Sequence, residues 1–81
     1  MMIEVRLFAR ARDLAGRDLL PVEVPQGSTV AELRVTIAKM CPVLKDLLAR
    51  SRIAVGDDFG DDEARLTPGA LVAVIPPVSG G

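Results

Sequence analysis

Histidine, tryptophan and tyrosine are absent, and cysteine occurs once, at Cys41. Without histidine no Ser-His or Cys-His pair exists, so nucleophilic catalysis of that kind is excluded. A single thiol can neither close an intrachain disulfide nor build a zinc knuckle. Phe8 and Phe59 are the only aromatics, so a core has to be assembled from Val, Leu, Ile and Ala. No apolar run approaches the roughly 20 residues of a membrane span. The opening "MMIEVRLFARARDLAG" lacks the apolar block and cleavage site of a signal peptide. Neither glycine-rich phosphate loop, G-x-x-x-x-G-K before Ser or Thr or G-x-G-x-x-G, occurs. A surplus of one charge is also missing: ten basic and eleven acidic residues leave a net charge of −1. With no basic excess to neutralise phosphates, nucleic acid is not expected as a partner. Together these absences predict a soluble protein of the reducing cytoplasm, with no nucleic-acid, membrane or metal contact.

What is present reads as one small domain. Its 81 residues are 49% hydrophobic and 26% charged, a globular balance. A domain of this size buries only roughly 60% of its unfolded surface. Ile3, Val5, Leu7 and Ala9 alternate with Glu4, Arg6 and Phe8, which predicts a strand with one buried face. "RDLAGRD" at Arg12–Asp18 is a polar connector. Leu20, Val22 and Val24 then alternate again, and the short connection predicts an antiparallel pair. Pro21 lacks a ladder donor, which assigns this second strand to an edge.

"PQGSTVAELRVTIAKMCP" predicts the main helix. Thr29 and Glu32 stand three apart, as a capping box requires. Val30, Leu33, Ile37 and Met40 form the expected core stripe. Pro42 stops the helix, and "VLKDLLAR" adds one or two helical turns. Cys41 at the helix end faces a dipole that disfavours a thiolate, so it reads as a small buried hydrophobe. Ile53–Val55 is a third strand. "GDDFGDDEA" follows as a solvated acidic turn, with Phe59 expected to pin it to the core and its carboxylates off the calcium-loop spacing. "TPGA" predicts a type II turn at Pro68-Gly69. Leu71–Ile75 is continuously apolar, which predicts a strand covered on both faces. The helix is expected across one face of a mixed sheet, with the first and last strands at its centre.

Two features point away from the core. Phe8 falls by alternation with Glu4 and Arg6 on the outer face, where an aromatic is a candidate partner contact. Val72 and Val74, if they share that face, would extend it into an apolar strip. The second feature is the ending "PPVSGG". Pro76 and Pro77 favour a stiff, extended exit from the last strand. Val78 offers an apolar anchor, and Gly80 and Gly81 carry no side chain, so the segment can enter a narrow channel. Four extended residues reach at most about 13–14 Å. Such a tail delivers a carboxylate into another protein. A carboxylate is a poor electrophile and needs activation, for which this chain has no nucleotide loop. The residues therefore describe a carrier served by enzymes.

"LFARARDLAG", "STVAELR" and "LTPGALVAVIPPVSGG" together resemble the MoaD/ThiS sulfur carriers, in the branch of molybdopterin synthase small subunits. The resemblance spans essentially the whole chain. It implies an α+β, ubiquitin-like β-grasp fold: a mixed sheet with one main helix packed across one face. Residues 1–77 would form the domain and 78–81 a flexible Gly-Gly tail. It implies that an E1-like enzyme adenylates the Gly81 carboxylate and that a sulfur donor converts it to a thiocarboxylate. No cofactor would be bound beyond that modification. The tail, lined by Val78 and Ser79 and threaded through Gly80, would enter the large catalytic subunit of molybdopterin synthase. There it would give sulfur to cyclic pyranopterin monophosphate, the chain itself being noncatalytic. Phe8, Ile75, Pro76 and Pro77 would face the partner. Relatives often carry Asn at Gly56, an acid at Ala70 and sometimes an aromatic at Ile75, so partner contacts differ here. The tail alone fits three readings: this carrier, a carrier or lysine-linked modifier of another pathway such as thiazole synthesis or tRNA thiolation, or a passive β-grasp interaction module.

Overall fold

The computed structural model describes residues 1–77. Five strands form one mixed sheet in the order β2-β1-β5-β3-β4. They are β1 (Met2–Leu7), β2 (Leu19–Glu23), β3 (Arg52–Val55), β4 (Asp58–Phe59) and β5 (Leu71–Ile75). Three helices, α1 (Ala9–Ala15), α2 (Val30–Met40) and α3 (Lys45–Arg50), accompany them, with a 3₁₀ turn at Pro42–Leu44. The sheet and helices give the expected α+β architecture, and β5 occupies the middle with β1 parallel beside it.

β1 buries Ile3, Val5 and Leu7 and turns Met2, Glu4 and Arg6 outward. It pairs antiparallel with β2 (Ile3 opposite Val22, Val5 opposite Leu20). Pro21 lies on the edge strand, as its missing N–H requires. The alternation ends at Leu7, not at Ala9. Ala9 takes φ 50° and opens α1, a seven-residue helix that runs on into the polar connector. A non-glycine residue in that region carries strain of order 1 kcal/mol. Gly16 ends α1 at φ 73°, its N–H bonded to Arg12 O at 2.9 Å. The helix escapes periodicity because two turns offer too few apolar positions; only Ala11 is fully buried.

α2 packs on the inner face through Val30, Leu33 and Ile37. Its capping box forms: Thr29 Oγ1 accepts from Glu32 N (3.3 Å), and Glu32 Oε1 accepts from Thr29 N (3.1 Å). The two other leading N–H groups, of Val30 and Ala31, donate to Ala64 O and Asp62 O. The segment after β4 therefore belts the helix start. Arg34 clamps the same region, donating from Nη1 to the carbonyls of Leu48 and Ser51 and from Nε to Asp62 Oδ1 (3.1 Å). Met40 does not complete the core stripe; it is half exposed at the last turn of α2, two residues before Pro42. Cys41 is half-buried rather than buried, packed at the margin of the core.

Gly60 sits where no side chain fits. A Cβ there would lie 2.8 Å from Val55 Cγ2 and 3.2 Å from Val30 Cγ2. Both neighbours are β-branched and cannot swing aside cheaply. Gly60→Ala is expected to destabilise the domain by about 1–3 kcal/mol. A thermal melt checks this, since each kcal/mol shifts the midpoint of so small a domain by about 4–8 °C.

Candidate partner face and chain exit

The site is the sheet face opposite the helices, and strand register builds it row by row. Pro21, Glu4 and Leu71 stand side by side across β2, β1 and β5. The next outward row runs Leu19, Arg6, Ala73, Ala54 and Phe59. Ile75 and Arg52 form the last pair, where β5 ends. Leu71 is 72% exposed, the largest value among the exposed large hydrophobics. Met2, Leu19 and Phe59 are exposed as well. Glu4, Arg6, Leu19, Ala54, Leu71 and Ala73 line a groove of about 250 Å³ on this face. Exposed leucine and phenylalanine cost hydration free energy that burial recovers, at about 1.5–3 kcal/mol per large side chain.

Three expectations are corrected here. The Leu71–Ile75 strand is not covered on both faces: Val72 and Val74 are buried, Ala73 and Ile75 are half-buried and Leu71 is open. Val72 and Val74 therefore do not join an outer strip with Phe8. Parallel pairing sets Val72 beside Val5 and Val74 beside Leu7, so they inherit the inward phase of β1. Phe59 does not pin its loop to the core either. It is 52% exposed, and its ring carries the Arg52 guanidinium 3.6 Å from the centroid. Such a stack contributes about 0.5–1 kcal/mol at an exposed site.

Of the predicted contact residues, Phe8 and Ile75 lie at one end of the sheet. Leu7 pairs with Val74, and each chain then advances one residue. Phe8 is 43% exposed at the start of α1. Pro76 is half-buried and Pro77 exposed as the chain leaves β5. Val78, Ser79, Gly80 and Gly81 lie outside the described residues. Leu71, Leu19 and Arg52 escaped the sequence reading. A continuous apolar run carries no phase of its own; only pairing with a strand of known phase, Glu4 against Leu71, would have revealed the outward set. Among the described residues no cluster of three potential metal ligands occurs. No described helix is long and apolar enough to cross a membrane.

The ThiS family profile matches residues 5–81. The chain is 34% identical over 79 residues to the molybdopterin synthase sulfur carrier subunit of Arabidopsis thaliana, covering 98% of this chain and 82% of that protein. Among solved structures, SAMP1 of Haloferax volcanii superposes with a TM-score of 0.90 over the full length of both chains, at 22% identity, a likeness of fold. A chain of the complex of subunits 1 and 2 of the molybdopterin-converting factor of Helicobacter pylori matches with a TM-score of 0.72 and 29% identity, again over all of both chains.

Proposed function

The chain belongs to the ThiS family, and on that premise we propose that it is the sulfur carrier and small, noncatalytic subunit of a molybdopterin synthase. The observation that carries this reading is the likeness along 98% of the chain to a sulfur carrier subunit. The β-grasp body supports it: the central strand β5 runs to one end of the sheet and releases the chain there, beside a face left apolar and open. In this reading residues 1–77 hold and orient the tail, and residues 78–81 are the free working segment. The Gly81 carboxylate attacks the α-phosphate of ATP in an E1-like partner and displaces pyrophosphate. A sulfur donor then displaces AMP, leaving a terminal thiocarboxylate. The large subunit receives this end and passes the sulfur to cyclic pyranopterin monophosphate. The thiocarboxylate is cargo, and the work is cytoplasmic.

Phe8, Ile75, Pro76 and Pro77 contact the large subunit around the exit, with Leu71 and Leu19 extending the contact across the groove. Intact-mass spectrometry tests the reading. After incubation with ATP, the activating enzyme and a sulfur donor, the chain should gain the mass difference between one sulfur and one oxygen atom. Alkylation of the product distinguishes a thioacid from an oxidised methionine. No adduct, under conditions that load a known carrier, would sink the proposal.

A further inference from the structure

The open sheet face is complementary to itself. Two neighbouring outward rows cross its centre, one pleat apart. The first sets Pro21, Glu4 and Leu71 side by side on β2, β1 and β5. The second sets Leu19, Arg6 and Ala73 on the same three strands, with Ala54 beyond on β3. On β1 the rows therefore carry opposite charges, Glu4 and Arg6. On β5 they carry opposite sizes, Leu71 and Ala73. Leu71 projects, at 72% exposure, while Ala73, Ala54 and Gly56 leave the hollow of the groove beside it. Glu4 and Arg6 form no ion pair with each other or with any other described residue.

A two-fold operation uses this pattern. A symmetric contact places residue i on residue j and residue j on residue i. Let the axis cross the strands at the level of Val5, lying in the plane between two copies packed face to face. Each row of one copy then lies over the other row of its mate. Glu4 comes over Arg6 twice, Leu71 comes over Ala73 twice, and Pro21 meets Leu19. Facing sheets stand about 10 Å apart, and their strands run within about 30° of one another. A glutamate and an arginine together span that gap. The projecting leucine fills the hollow that the alanines leave, so charge and shape are matched by one operation.

We propose that the open sheet face is the contact of a symmetric pair of this chain, in which Glu4 of each copy pairs with Arg6 of the other and Leu71 of each seats on Ala73 and Ala54 of the other. So small a patch belongs to the transient class, below about 1,200 Å² in total, and the pair exchanges readily with single chains. The proposal stands on this face alone. On the sulfur-carrier reading it adds a consequence: pairing covers the surface given to the large subunit, so the pair has to part before the two subunits join.

Sedimentation of the full chain at low salt, from about 10 µM to about 1 mM, tests the pairing in the range where transient contacts dissociate. The unaltered chain should pass from single to paired with rising concentration. Glu4→Arg alone sets two arginines over each other, and Arg6→Glu alone sets two glutamates. Each should raise the dissociation constant about tenfold or more. Mixed in equal amounts, these two variants should pair again, because every contact is then between opposite charges. The chain carrying both Glu4→Arg and Arg6→Glu should pair like the unaltered one. All four positions exchanged here are exposed, so thermal melts should coincide. A chain that stays single at about 1 mM, pairing that survives either single substitution, or single variants that do not pair on mixing would each overturn the proposal. The carrier reading is decided separately, by the sulfur adduct, and stands or falls whichever way the chain sediments.

Discussion

Deletion of Gly81 is expected to abolish sulfur loading and leave the unfolding transition where it was. The core explains the second half. Among the described residues the buried hydrophobic cluster runs from Ile3 to Val74, and neither Pro76 nor Pro77 belongs to it. The first half follows from reach. Activation happens at one carbonyl carbon, and removing or adding a residue displaces it by about 3.3–3.6 Å along an extended chain. That distance exceeds the tolerance of a positioned displacement reaction. Intact mass should show no sulfur adduct on the deletion variant or on a chain extended by one residue after Gly81. Circular dichroism melts should superpose on those of the unaltered chain. A lowered melting midpoint in the deletion variant would mean that the terminus packs on its own domain.

The second large effect is a contrast between two substitutions three residues apart in β5. Val74→Asp should unfold the domain. Val74 is fully buried between Leu7 and Ile53. A carboxylate there has no partner, and an unpaired buried charge of this kind destabilises by more than about 4 kcal/mol. A chain of this length has about 4–12 kcal/mol in total. Leu71→Asp should stay folded, changing stability by no more than about 0.5 kcal/mol, because its side chain already faces solvent. It should instead weaken the complex with the large subunit about tenfold or more, as loss of a central apolar contact does. Thermal melts and titration calorimetry separate the two outcomes. A Leu71→Asp variant that binds normally would remove the open face of β5 from the interface.

The capping box at Thr29 and Glu32, the stop at Pro42 and the edge position of Pro21 were legible because each is a local rule about a donor or a dihedral. Resemblance along the chain supplied the β-grasp fold. The short helix α1 was not legible: after Leu7 the alternation continues in the letters but stops in space, at Ala9. Met40 was misassigned for a related reason. Helical spacing says which side a residue faces, but not whether anything covers it there.

What the amino-acid order determined by itself is the inventory: strands of one phase, one capped helix, no catalytic histidine, and a side-chain-free ending after two prolines. What only the tertiary structure decided is the side on which β5 is open. An uninterrupted apolar strand has no phase until a neighbour of known phase pairs with it, and Glu4 beside Leu71 supplies that phase.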